Sequence, residues 1–260
     1  EDAEITLRFE RQAAPLPADP EIVFFDGALG ARRELEADLI AAGDWLYDAG
    51  AAALVVYAAT SPTGVAAGAR HNEIYAWDVH DVVLRDLEIR HAVDAVGLGD
   101  TNRVVLERLV LRDNAGWGAV AIAAATSGKG EGNAVVGCEI AGTSATLASA
   151  ADGNYGSGVF VWGEGIVRAN LIADNDIHDN GGHGVGLMES SKNTVSGNAI
   201  YRCGWSGIAA AGETTSANVI ERNRVFDNCR LVDDCFGVNL FRTGDDNALR
   251  FNEISAQHDT

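Results

Sequence analysis

From Ile74 onward the chain states one pattern seven times, and this repetition constrains its fold more than any other feature. An apolar-x-apolar triplet recurs as Ile74-Tyr75-Ala76, Val96-Gly97-Leu98, Val120-Ala121-Ile122, Val159-Phe160-Val161, Val185-Gly186-Leu187, Ile208-Ala209-Ala210 and Val238-Asn239-Leu240. Successive triplets start between 22 and 39 residues apart. A second beat falls between them: Cys138-x-Ile140, Asn175-x-Ile177, Asn198-x-Ile200, Asn223-x-Val225 and Asn252-x-Ile254. Self-similarity at this period, with alternation inside each run, indicates a solenoid of strands.

The unit Val185 to Gly207 shows what one lap contains. Val185 and Leu187 alternate with Gly186 and Met188, and Thr194-Val195-Ser196 and Ala199-Ile200-Tyr201 are two further β-prone runs. Gly, Asn and Ser, which suit tight turns, separate them. No stretch within the unit offers the periodic run a helix needs. The expectation is an all-β chain: a right-handed parallel β-helix solenoid of about seven coils, the handedness following the rule for parallel crossovers. Val96, Leu98, Val120, Ile122, Val159, Val161, Val185, Leu187, Ile208 and Val238 should point inward. Asn175, Asn198, Asn223 and Asn252 should stack as an amide ladder along the axis, with Cys138 interrupting it.

Asn180-Gly181-Gly182-His183-Gly184-Val185-Gly186-Leu187 and Ser191-Lys192-Asn193-Thr194-Val195-Ser196-Gly197-Asn198-Ala199-Ile200 carry a resemblance to a known group. They resemble the right-handed parallel β-helix repeat of the pectate-lyase-like superfamily, particularly mannuronan epimerase and periplasmic nitrous-oxide-accessory repeats. The resemblance covers about two thirds of the chain and implies the fold, while the superfamily hosts lyases, hydrolases, epimerases and inert shafts. The Asp-Pro-His motif of alginate epimerases is absent.

Residues 1–70 read as strands that continue or cap the solenoid, and 71–260 as the β-helix itself. Ile5 to Phe9 and Ile22 to Phe25 read as strands, Arg32 to Ala42 as a short amphipathic helix, and Trp45 to Tyr57 as a hairpin. Glu1-Asp2 reads as a mature or trimmed start. The last coil stops near Ile254 and needs a cap, so a partner or a further segment is expected over it. A net charge of −19 excludes the basic stripe that nucleic acid requires. No run is apolar enough to span a membrane. Cys229 and Cys235 flank a short loop and suit a disulfide in a secreted or periplasmic protein. Cys138 and Cys203 suit the core.

Stacking turns sequence columns into surfaces. Outward positions of the first strand alternate small residues with Trp77, Phe160, Trp162 and Phe241, a bed for sugar rings. A pre-strand column holds Trp117, Tyr155, His183, Trp205 and Phe236, and a post-strand acid column holds Asp78, Asp100, Glu164, Glu189 and Glu213 before ending at Arg242. The irregular steps insert Ala141 to Gly156 and the Cys229–Cys235 loop, and such interruptions of a regular scaffold often carry function. The catalytic candidates are therefore His183 as base or acid, Tyr155 as proton donor, Glu189, and Arg242 facing a uronate carboxylate. Trp77, Trp117, Phe160, Trp162, Trp205 and Phe241 are the substrate-binding candidates. Ca²⁺ is the expected ion, with Asp100, Glu164, Asp233 and Asp234 as oxygen donors, and no organic cofactor is indicated. Three functions follow: a lyase or epimerase abstracting a proton from an acidic polysaccharide, a glycoside hydrolase with paired carboxylates, or a non-catalytic glycan-binding shaft.

Overall fold

The computed structural model describes residues 6–9, 22–25, 28–50, 53–57, 65–68, 72–126, 128–143, 155–233 and 235–257. Its contacts divide the chain into two units, Glu1–Arg70 and His71–Thr260.

In the second unit the expected parallel β-helix is present. The first strands of seven coils are Asn72–Trp77, Asp94–Gly99, Gly118–Ala123, Ser157–Trp162, Val185–Met188, Ile208–Ala211 and Val238–Phe241, and they pair in parallel as one seven-stranded sheet. Two further seven-stranded sheets complete the lap, one running from Val83–Arg85 to Ala248–Arg250 and one from Glu88–Arg90 to Glu253–Ser255. Val185 sits in register with Val159 on one side and Ile208 on the other. The inward columns are closed to solvent: Val96, Val120, Ile122, Val159, Val161, Val185, Leu187 and Ile208 are 0 % exposed and Leu98 is 1 %. Val238, on the last coil, is only half-buried.

The glycine announcing each triplet has a packing cause. A Cβ at Gly184 would lie 2.3 Å from Ile200 Cγ2 and 2.6 Å from the Gly207 carbonyl. Gly158 and Gly207 meet the same pair of obstacles in their own coils, and Gly237 meets Ile254 Cγ2 and the Gln257 side chain. At this corner the backbone presses directly on the core.

The expected asparagine ladder is one of three. Asn175 donates its backbone and side-chain N–H to Asn198 Oδ1, Asn198 to Asn223, and Asn223 to Asn252, all within 2.9–3.0 Å. Cys138 starts the column by donating its N–H to Asn175 Oδ1. A second ladder runs through Asn133, Asn170, Asn193, Asn218 and Asn247. A third uses mixed residues, with Thr143 donating to Asn180, Cys203 to Asn228, and Asn228 to Gln257. These amides satisfy turn backbone that is otherwise shut away from water.

In the first unit Asp44–Asp48 and Ala53–Tyr57 form the expected antiparallel hairpin, and Thr6–Phe9 adds to it. Val23, Trp45, Leu54 and Val56 form its small core. The helix expected over Arg32–Ala42 is not formed. Ala31–Arg32 is a strand paired to the hairpin, followed by a single 3-10 turn at Glu36–Asp38. The Asp44 carboxylate explains the difference: it accepts from the N–H groups of Ile40 and Ala41 and from Arg33 Nε, tying the segment into a loop.

Candidate functional site

The outward side of the first sheet carries a groove of about 980 Å³. Its floor is small, from Ala121, Ala123 and Ala211, and its walls are Trp117, Phe160, Trp162, Met188 and Phe241. Glu189, Glu213, Thr214 and Arg242 line the rim after the strands. Trp117 packs on Tyr155 at 4.4 Å and on Phe160 at 5.5 Å between ring centroids, which leaves Phe160 8 % exposed. Trp162 and Phe241 stand open at 41 % and 56 %.

The acid column is first of all a corner. Asp78, Asp100, Glu164, Glu189 and Arg242 all adopt left-handed backbone, with φ between 45 and 52°, a region that Asp tolerates better than most residues. In the sixth coil the corner residue is Gly212 (φ 102°), so Glu213 lies one position past the column expected for it. That offset matters. A Cβ on residue 212 would lie 2.3 Å from Glu189 Cδ, so the glycine makes room for the carboxylate. Glu189 Oε2 accepts from the Thr214 N–H at 3.1 Å and from its hydroxyl. Sequence reasoning missed Thr214, although the run Gly212-Glu213-Thr214-Thr215 marks a turn.

Of the four catalytic candidates, the groove brings together Glu189 and Arg242. His183 does not line it. The ring is 6 % exposed and packs edge-on against Trp205 at 5.8 Å. Counted back from the paired Val159, Val185 and Ile208, its register neighbours are the buried Ser157 and Ser206, one position nearer the strand than Trp117. Tyr155 lies behind Trp117 rather than in the groove. Trp77 and Trp205 are also outside it, while Trp117, Phe160, Trp162 and Phe241 are inside. Arg242 stands over the Phe241 ring at 5.2 Å.

The candidate metal ligands do not converge. Asp100 is 6 % exposed and accepts from the N–H groups of Ala125 and Thr126 and from the Thr126 hydroxyl. Glu164 and Asp233 are exposed, and Asp234 lies outside the described residues. Among the described residues no three His, Cys, Asp or Glu come together as a metal site. Cys229 and Cys235 form the expected disulfide, and Cys138 and Cys203 are buried free thiols.

An exported-type solenoid with an aromatic groove on its first sheet is the class these features define. The chain belongs to the family described as periplasmic copper-binding protein (NosD), which it matches over residues 57–260. No curated protein matches it. Similar solved structures include the periplasmic alginate epimerase AlgG, at 15 % identity and a TM-score of 0.42 over 67 % of this chain and 47 % of that one. The A-module of the Azotobacter vinelandii mannuronan C-5 epimerase AlgE4 gives 13 % and 0.44 over 68 % and 60 %. A glycoside hydrolase gives 11 % and 0.43 over 85 % and 58 %. The chain thus spans about half the length of these structures.

The family description implies copper, whose protein ligands are mainly Cys, His and Met. Met188 is the one methionine of the chain. Burial pushes the Cys203 thiol up to about 12, and Cys138 is raised for the same reason. Cys229 and Cys235 are consumed by their disulfide. Among the described residues His80, His91, His178 and His183 do not gather with two further His, Cys, Asp or Glu, so these donors do not fit a copper centre.

Proposed function

We propose that the groove binds a polysaccharide and that the protein is a carbohydrate-active β-helix protein of the periplasm or cell exterior. One observation carries the reading. Stacking surfaces, two carboxylates and a guanidinium line a single groove, which is the equipment for holding a sugar ring by its C–H face while moving a proton. The periplasmic family description and the Cys229–Cys235 disulfide support the location.

The substrate class favoured is a uronate-containing chain. Arg242 would pair with the sugar carboxylate and stabilise the charge that develops when the neighbouring proton leaves. Glu189 or Glu213 takes the role of base first expected of His183, giving a lyase or an epimerase. A second reading is favoured by the two carboxylates coming from adjacent coils. Offset by one coil step of about 4.8 Å and one residue, the two side chains can reach either the separation of about 5 Å for retaining or that of about 6.5–9.5 Å for inverting glycoside hydrolysis. Calcium enters the first reading as a bridge between Glu213 and the glycan, so uptake is expected with an acidic glycan present and not without it.

The test is incubation with alginate, pectate and neutral glycans, following unsaturated products, reducing ends and solvent deuterium incorporation. One of Glu189→Gln and Glu213→Gln should lower turnover by about 10²–10⁴-fold under the first reading, and both should under the hydrolase reading. Arg242→Ala should weaken acidic glycans and spare neutral ones. Wild-type protein that neither binds nor alters any glycan of the panel would remove the proposal.

A further inference from the structure

The groove occupies only part of the face it lies on. In the register of the first sheet, one outward column runs Trp77, Gly99, Ala123, Trp162, Met188, Ala211 and Phe241. Its aromatic members fall on coils one, four and seven, with two coils of smaller side chains between each pair. All three rings are open, at 51 %, 41 % and 56 %. The first ring leans along the axis: a Cβ on Gly99 would lie 2.3 Å from Trp77 Cε3, so the indole covers the neighbouring coil. Tyr75 stacks beside it at 6.0 Å and 29° and is 58 % exposed. Nothing in the groove uses this pair.

The spacing is informative. Three coils advance about 14 Å at about 4.8 Å each, and one coil step is close to the length of one pyranose unit in an extended glycan. Aromatic stations three coils apart therefore present a stacking surface to every third sugar of a chain lying along the axis. A cation stands at the corner beside each end station. Lys129 Nζ reaches Asp78 Oδ1 at 2.5 Å next to Trp77, and Arg242 follows Phe241. The first end thus carries an acid already neutralised by its lysine, and the last end carries Arg242, so neither end station confronts an anionic chain with an unpaired carboxylate at its corner.

We propose that Tyr75 and Trp77 form a distal glycan subsite, and that this face takes one extended acidic polysaccharide running along the solenoid axis over all seven coils. The subsite rests on the groove being a glycan site and extends it by a third station. Short oligomers engage Trp162 and Phe241 beside Glu189, and longer ones gain Trp77 as an intramolecular contact, which raises affinity without altering the groove.

Titration calorimetry with oligomannuronates and oligogalacturonates of defined length tests this. A heptamer should bind at least about tenfold tighter than a tetramer. The Tyr75→Ala/Trp77→Ala pair should abolish that gain and leave the tetramer affinity unchanged, while Trp77→Phe should keep most of it. Circular dichroism verifies that the exposed substitutions leave the coil folded. A tetramer that binds, with a heptamer that binds no tighter or with a gain that survives the double variant, overturns the distal subsite and spares the groove. If no oligomer binds at any length, both readings fall.

Discussion

At the residue scale, Asn198 shows how much one side chain organises. It is 1 % exposed, donates its amide to the Ile172 carbonyl at 3.0 Å and to Asn223 Oδ1 at 2.9 Å, and accepts both N–H groups of Asn175. Replacing it with Leu strands the Asn175 donors inside the turn. An unmet buried polar group costs about 1–3 kcal/mol, so Asn198→Leu should lower unfolding stability by about 2 kcal/mol or more in a urea titration. Glu253→Ala, on an exposed position, should stay within about 0.5 kcal/mol. The sequence displayed this ladder because all four members are asparagine on one beat. The third ladder was illegible because Thr143, Cys203 and Gln257 share it with Asn180 and Asn228: an amide oxygen can accept from any backbone N–H, so the donating residue need not be Asn. His183 was misplaced for a related reason. The spacing puts it beside the strand, but only the register shows that it lies between the buried Ser157 and Ser206, one position off the column of Trp117 and Trp205.

At the scale of elements, the corners carry ion pairs that climb from coil to coil. Arg103 bonds Asp81 through two nitrogens at 2.6 and 2.8 Å, and Arg108 bonds Asp86 at 2.8 and 2.9 Å. Arg202 holds Asp179, and Arg250 holds Glu221. The Arg103 hydrogen bonds, followed by that of His80, keep the Asp81 carboxyl well below the usual carboxylate range. Asp86, Asp179 and Glu221 are lowered chiefly by their own arginines. A carboxyl depressed in the folded state contributes stability above its unfolded pKa of about 4 and loses it as pH falls through the folded value. The melting temperature should therefore decline from about pH 4 downward. Because most of these groups are exposed, each pair is a small term, and raised salt should flatten the decline. A melting temperature constant from neutral pH to pH 2 would contradict this. Such pairs were not readable from spacing alone, since the coil lengths vary and register must be known first.

At the scale of the whole second unit, the solenoid is closed along its length and open at its last coil among the described residues. Ala210, Ile220 and Val225 are 1 %, 0 % and 0 % exposed, yet the next members of the same columns, Leu240, Leu249 and Ile254, are 42 %, 42 % and 48 %. The three strands bearing them are also the last of their sheets, so apolar side chains and unpaired backbone groups share one end. An exposed edge of this kind recruits other strands. A polypeptide of residues 1–260 should therefore self-associate with rising concentration in sedimentation velocity. Leu249→Lys with Ile254→Lys should hold it monomeric, because charge on an edge strand must be desolvated before another edge can pair. The interior should be little disturbed, since neither column has a coil beyond these residues among those described. This association and the glycan face are separable: the end lies across the axis and the aromatic stations along it, so the double lysine variant should retain tetramer binding. Loss of both together would show that the groove needs a second copy to be complete.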